Sequence, residues 1–172
     1  MSLTPLPDEA PTPGIPDFAS FVRARWKALC RFAYATTGDA EDAADAMQDA
    51  LASVYPHWLQ IATGNPDAYL RRAIVNAHIT TCRRTARIMA RDDLDQWAPP
   101  GTDPITLLAD ADLAGRLCDG LPPRQRAAVV LRYLEDHTYA EMAGILDTTQ
   151  ANARSLVRHA LVALRAQLPE RN

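Results

Sequence analysis

Thr138-Tyr139-Ala140-Glu141-Met142-Ala143-Gly144-Ile145-Leu146-Asp147-Thr148-Thr149-Gln150-Ala151-Asn152-Ala153-Arg154-Ser155-Leu156-Val157-Arg158-His159-Ala160 is the stretch on which the fold turns. A Thr followed three residues later by Glu is a capping box, so Thr138 and Glu141 start a short helix carrying Met142, Ala143 and Leu146. Asp147 takes the turn, since Asp tolerates left-handed dihedrals better than most side chains, though Gly is the easier choice. Thr149 then caps a longer helix in which Ala153, Leu156, Val157, Ala160, Leu161 and Leu164 recur at helical spacing. Ala143 is small where two such helices touch, and the whole reads as a helix-turn-helix. The other face of the longer helix holds Gln150, Asn152, Arg154, Ser155, Arg158 and His159. Amides pair with adenine, guanidinium with guanine, and hydroxyls with base or phosphate, and these groups sit at the leading end that enters a major groove. A solvated polar side of an ordinary amphipathic helix is the plainer reading of that face; the cap and the turn spacing favour the DNA-reading one.

Upstream of this motif, Pro122 and Pro123 stop one helix and start another, which Arg126, Val129, Val130, Tyr133 and Leu134 mark out. Ile105, Leu108, Ala111 and Leu117 supply the stripe of a helix opened by Asp103-Pro104, so a second helical module spans 105–172. The stretch 92–104 has three prolines, a glycine and the acids Asp92, Asp93, Asp95 and Asp103, with no stripe by which to dock. It reads as a flexible acidic linker, long enough when extended to span roughly 40 Å. A first module, 17–91, precedes it. Asp17 is the N-cap of a helix with Phe18, Phe21, Val22, Trp26, Leu29 and Ala33 on one face, and Gly38 is its left-handed stop. Asp39 starts the next, with Ala40, Ala43, Ala44, Met47, Leu51 and Val54 inside and Glu41, Asp42, Asp45, Gln48 and Asp49 outside, until Pro56 disturbs its end. Asn65 caps a third helix and Pro66 fills its first turn, with Leu70, Ala73, Ile74, Ala77 and Thr81 inside and Arg83, Arg84, Arg87 and Arg91 at its cationic end. Residues 1–16 form a Pro-rich tail too poor in apolar side chains to pack.

The expected fold is therefore all-α, two small helical bundles joined by the acidic linker. Composition narrows the function. No apolar run approaches the roughly 20 residues of a membrane span, and the start lacks the cationic and apolar regions of a signal peptide, which places the protein in the cytoplasm without membrane insertion. Cys30, Cys82 and Cys118 are odd in number and show no paired spacing, so they read as buried or tolerated thiols and not as metal ligands. A net charge of -3 speaks against a protein that grips DNA unaided. Its distribution matters more than its sum: both ends are mildly basic, and the segment between them holds Asp92, Asp93, Asp95, Asp103, Asp110 and Asp112.

Three further stretches carry a resemblance. Ala35-Thr36-Thr37-Gly38-Asp39 with Ala46-Met47-Gln48-Asp49-Ala50, then Asn65-Pro66-Asp67-Ala68-Tyr69-Leu70-Arg71-Arg72, then Leu121-Pro122-Pro123-Arg124-Gln125-Arg126 follow one another ahead of the helix-turn-helix. This order resembles the extracytoplasmic-function (ECF) sigma factors of the sigma-70 superfamily, in a compact actinobacterial form, over nearly the whole chain after the tail. The resemblance implies a transcription initiation factor whose first domain binds core RNA polymerase and melts the minus-10 element while the second reads the minus-35 element. By position, Asp42, Asp45, Gln48 and Asp49 would face polymerase. Tyr69, Arg71, Arg72, Asn76, Arg83 and Arg84 would face minus-10 DNA, a ring among arginines being suited to stack an unpaired base. Gln150, Asn152, Arg154, Ser155, Arg158 and His159 would face the minus-35 element. The partners implied are core RNA polymerase and promoter DNA, with an anti-sigma factor as an optional third. The chain departs from the usual family pattern at Asp147, where Gly is common, and at Thr80, where an acid is common.

Other classes fit less well. Asp42, Asp45 and Asp49 share nearly one helix face and could hold magnesium, but no second carboxylate helix, nucleophile-base pair or Gly-rich phosphate loop accompanies them. His57, His78, His137 and His159 have no ligand spacing. The expectation is no enzyme, no cofactor and no metal. The rival within DNA binding is a helix-turn-helix regulator acting without polymerase, whose first domain would need a ligand pocket or a self-complementary apolar face.

Overall fold

The computed structural model describes residue 14, residues 16–89 and residues 118–167. The linker at 92–104, the helix expected between Ile105 and Leu117, and nearly all of the Pro-rich tail lie outside the described residues. Every regular element among the described residues is helical: α1 (Phe18–Thr37), α2 (Ala40–Val54), a 3-10 turn (Tyr55–His57), α3 (Trp58–Ala62), α4 (Pro66–Met89), α5 (Pro123–Val129) continuing into a wide π-type turn (Val130–Leu134), α6 (Tyr139–Ile145) and α7 (Gln150–Gln167).

Local chemistry sets most of these boundaries. The Asp17 carboxylate accepts the Ser20 N–H at 3.0 Å, and Gly38, at φ 83°, donates its N–H to Tyr34 O to end α1. Asp39 Oδ1 accepts from the Glu41 and Asp42 amides and opens α2. The hydrogen bond to Ser20 holds the Asp17 carboxyl below its ordinary value. Asn65 Oδ1 accepts the Ala68 N–H ahead of α4, while Pro56 sits in the 3-10 turn that separates α2 from α3. The π-type turn follows from Glu135 N donating to Val130 O and His137 N to Leu131 O, after which Asp136 adopts φ 54°.

The inner stripes differ from their sequence-based expectation along several helices, beginning with Trp26 on α1 and Tyr133 after α5, both of which are exposed. On α2 the buried alanines are Ala43, Ala46 and Ala50, and Ala44 is exposed. On α4 Ala73, Ala77 and Thr81 are half-buried, and the buried set is Leu70, Arg71, Ile74, Val75, His78 and Ile79. That broader set reflects how many neighbours α4 has, since it packs on α1 and α2 and also on α5 and α6. A stripe read for one neighbour under-counts a helix with several.

The two helical groups are docked on each other. Leu29, Phe32, Met47, Leu70 and Ile74 from the first belong to the same apolar cluster as Ala127, Leu131, Met142, Ile145 and Val157 from the second. Polar groups bind the seam as well. Buried Arg126 donates from Nε to Ala35 O at 2.9 Å and from Nη1 to Asp119 at 3.2 Å, so a cation of α5 closes the carboxyl end of α1. Arg71 on α4 donates to Glu135 Oε2 from Nη2 at 2.7 Å and from Nε at 3.2 Å. Arg72 pairs with Asp147 at 3.0 Å.

Candidate nucleic-acid interface

The helix-turn-helix is built as its sequence implies. Thr138 and Glu141 form the reciprocal capping box, the Glu141 carboxylate accepting the Thr138 N–H at 2.7 Å. That backbone hydrogen bond holds the Glu141 carboxyl below its ordinary value. Asp147 turns the chain at φ 50°, Thr149 Oγ1 accepts the Asn152 N–H at 3.1 Å, and α7 begins. Ala153, Val157 and Ala160 are buried against α5 and α6, with Leu156, Leu161 and Leu164 half-buried beside them. Arg124 Nη2 donates to Leu146 O at 2.6 Å and ties the start of α5 to the turn.

This seating leaves Gln150, Asn152, Arg154, Arg158 and His159 exposed and Ser155 half-buried. The Arg154 guanidinium lies 5.3 Å from the Tyr139 ring centre, and Arg132 lies at the same distance from that ring. Asn152 is steadied by its amide donating to Thr148 Oγ1 at 2.6 Å. A hydrogen-bonding and cationic edge thus projects from the leading half of α7, and its arginine is positioned by an aromatic ring at the base of α6. Arg132 and Tyr139 were not singled out from the sequence for this edge; their meeting depends on the π-type turn, which leaves no local signature.

The face of α4 divides differently. Tyr69, Asn76, Arg83 and Arg84 are exposed, and Arg72 is half-buried in its pair with Asp147. Arg71 is 6% exposed, held by Glu135, by Asp67 one turn back on α4, and by the Phe32 ring 5.5 Å away. In this arrangement Arg71 presents no donor to an outside ligand, and it stands apart from the other five residues expected at minus-10 DNA. On α2, Asp42, Asp45, Gln48 and Asp49 are all exposed and form an acidic surface.

Behind these faces lie inert groups. Burial pushes the Cys30, Cys82 and Cys118 thiols above their ordinary value, which makes them poor nucleophiles. Among the described residues no group of three or more His, Cys, Asp or Glu side chains is placed to hold a metal ion, and no helix is long and apolar enough to cross a membrane.

Two family models match: Sigma-70 region 2 over residues 21–88 and Sigma-70 region 4 over residues 112–164. The chain is 34% identical over 158 residues to an RNA polymerase sigma-E factor of Streptomyces avermitilis, covering 91% of this chain and 87% of that one. It is 28% identical over 160 residues to the ECF RNA polymerase sigma factor SigE of Mycolicibacterium smegmatis, covering 90% of this chain and 62% of that one. Among solved structures, the sigma factor RpoE of Bartonella quintana, crystallised with the anti-sigma factor NepR, superposes with a TM-score of 0.67 at 20% identity, over 91% of this chain and 99% of that one.

Proposed function

The chain belongs to the sigma-70 family, and we propose from that premise how its two helical groups divide the work of a promoter-specificity subunit. It is a sigma factor, which directs core RNA polymerase to promoters for transcription initiation. In our reading the module 17–91 docks on core polymerase through Asp42, Asp45, Gln48 and Asp49, and offers Tyr69, Arg72, Asn76, Arg83 and Arg84 to the minus-10 element, while Arg71, expected with them, is buried against Glu135. The module 105–172 reads the minus-35 element through Gln150, Asn152, Arg154, Ser155, Arg158 and His159. The observation that carries the reading is the exposed amide- and guanidinium-bearing edge at the leading end of α7, seated by α5 and α6. The acidic face of α2 supports a protein partner and not DNA, because like charges repel there.

The subunit works beside DNA in the cytoplasm and contributes binding, with bond formation belonging to polymerase. An anti-sigma factor, such as the one bound by the Bartonella protein, completes the set of partners. A helix-turn-helix regulator acting without polymerase is the disfavoured reading, because family membership covers both groups.

Run-off transcription with core polymerase on genomic templates tests this. Arg154→Ala or Arg158→Ala should weaken promoter occupancy by about 1–3 kcal/mol where a base contact is lost. Asp49→Arg should lose co-purification with core polymerase while keeping its helical signal. Unchanged occupancy in both arginine variants would remove α7 from the promoter, and normal co-purification would remove α2 from polymerase.

A further inference from the structure

α1 carries four cations, Arg23, Arg25, Lys27 and Arg31, and no acid anywhere along its length. α2, packed against it, carries Glu41, Asp42, Asp45 and Asp49 and no base. Opposite charges on packed helices can relieve the repulsion within each, but here they do not meet. Among the described residues no ion pair joins α1 to α2, and all four cations are exposed. Asp17, just ahead of the helix, is engaged by the Ser20 amide, with Arg23 only the last of the influences on its carboxyl. Arg23, Lys27 and Arg31 stand four residues apart, so each lies about 6 Å further along the axis and the three keep to one side. Like charges at that spacing weaken a helix. Trp26 falls on the same side, within an arc of about 140° that holds all four residues, and it is 50% exposed. Folding explains neither the unpaired row, which costs the helix stability, nor the indole left in water. Both are what a strand of phosphates and flat bases would use.

We propose that the outward side of α1 is a further nucleic-acid site, which takes a single strand along Arg23, Lys27 and Arg31 with a base stacked on Trp26. The stride favours a single strand over a duplex. A spacing of about 6 Å per cation exceeds the roughly 3.4 Å per nucleotide of one strand in B-DNA, so a strand drawn out of its stack can follow the row one phosphate to a cation. The site shares no residue with the edge of α7 or with the exposed residues of α4, and it stands whether or not those two face promoter DNA. Charge also separates it from the α2 surface: the cations suit a polyanion, and the acids of α2 suit a protein partner.

The test is fluorescence anisotropy with the full chain and fluorescein-labelled oligodeoxythymidylate, oligouridylate and a DNA duplex, read from low salt upward. Whichever single strand is held better identifies the ligand as DNA or RNA. Lys27→Gln and Arg31→Gln should each make the fall of log affinity with log salt shallower by about 0.7 for the single strands, the share of one phosphate. Arg165→Gln, the same loss of charge at an exposed position of α7, should leave that slope unchanged. Trp26→Ala should weaken single-strand binding on the order of tenfold without altering the slope. Trp26→Phe keeps a ring, should recover most of that loss, and serves if alanine disturbs packing. Duplex binding, which α7 would carry, should be indifferent to all of these changes on α1. Slopes that ignore Lys27 and Arg31, an equal response to Arg165→Gln, an equal response by the duplex, or no detectable binding of either single strand would overturn the proposal. A triple variant, Arg23→Gln with Lys27→Gln and Arg31→Gln, that binds single strands normally but no longer co-purifies with core polymerase would make the row a protein-docking face and refute the assignment to nucleic acid.

Discussion

Gly38→Ala is the substitution that most directly measures whether the two helical groups hold each other in solution. Gly38 sits at φ 83°, a left-handed conformation that costs an L-residue with a Cβ roughly 1–2 kcal/mol. An added Cβ would lie 2.4 Å from Arg126 Nη2 and 2.7 Å from Cζ and Nη1, well inside van der Waals contact. A surface arginine would swing away at little cost. Arg126 is 6% exposed and is pinned by Ala35 O and Asp119, so moving its guanidinium sacrifices charge-assisted hydrogen bonds worth about 1.5–3 kcal/mol. The two contributions together predict a loss of roughly 2.5–5 kcal/mol. A double-mutant cycle separates them: with Arg126→Ala the crowding is gone, and Gly38→Ala should cost only the roughly 1–2 kcal/mol of backbone strain. Urea unfolding followed by far-ultraviolet circular dichroism gives each corner of the cycle. Because Gly38 and Arg126 belong to different groups, equal costs of Gly38→Ala in the two backgrounds would show that the guanidinium does not rest there and would refute the docked arrangement.

Thr138→Ala should destabilise the helix-turn-helix by about 0.5–2 kcal/mol through loss of the cap, with the same unfolding assay deciding; an unchanged midpoint would contradict the reciprocal capping geometry. His78 is buried beside Cys82, Asp42 and Arg126, and desolvation holds its imidazole below the ordinary value of 6.5. The unfolded chain therefore takes up a proton that the folded chain refuses. Stability should be level above about pH 7 and fall as the pH drops through 6.5 toward the lower folded value. His78→Gln should flatten that limb of the stability curve, and an identical limb in the variant would assign the acid sensitivity elsewhere.

What was legible in the sequence was whatever a few neighbouring residues decide. Asp17, Gly38, Asn65-Pro66 and the Thr138–Glu141 box mark helix ends because their hydrogen bonds span at most four residues, and the structure places an end at each. The outward face of α7 was readable for the same reason, as one helix packed from one side. The buried set of α4, which includes Val75, His78 and Ile79, was only partly readable, since that helix packs on several neighbours and periodicity does not announce them. Arg71 is the clearest case. Its position in a promoter-facing motif suggested exposure, but its partner Glu135 lies 64 residues away, and no spacing rule connects them. An acidic connector long enough to separate two domains suggested independence; the shared core through Phe32, Leu131 and Met142 is a property of two surfaces, not of the tether.

The wide turn at Val130–Leu134 accommodates one residue more than an ordinary helical turn, and each helical residue advances the chain by about 100°. Excising a single residue there would leave the hydrogen bonds within α6 and α7 untouched. It would nonetheless turn the end of the α5 segment by about 100°, swinging the carboxylate of Glu135 off its cation. The placing of Glu135 opposite Arg71 is thus stored in one surplus peptide unit, which a one-codon deletion would remove.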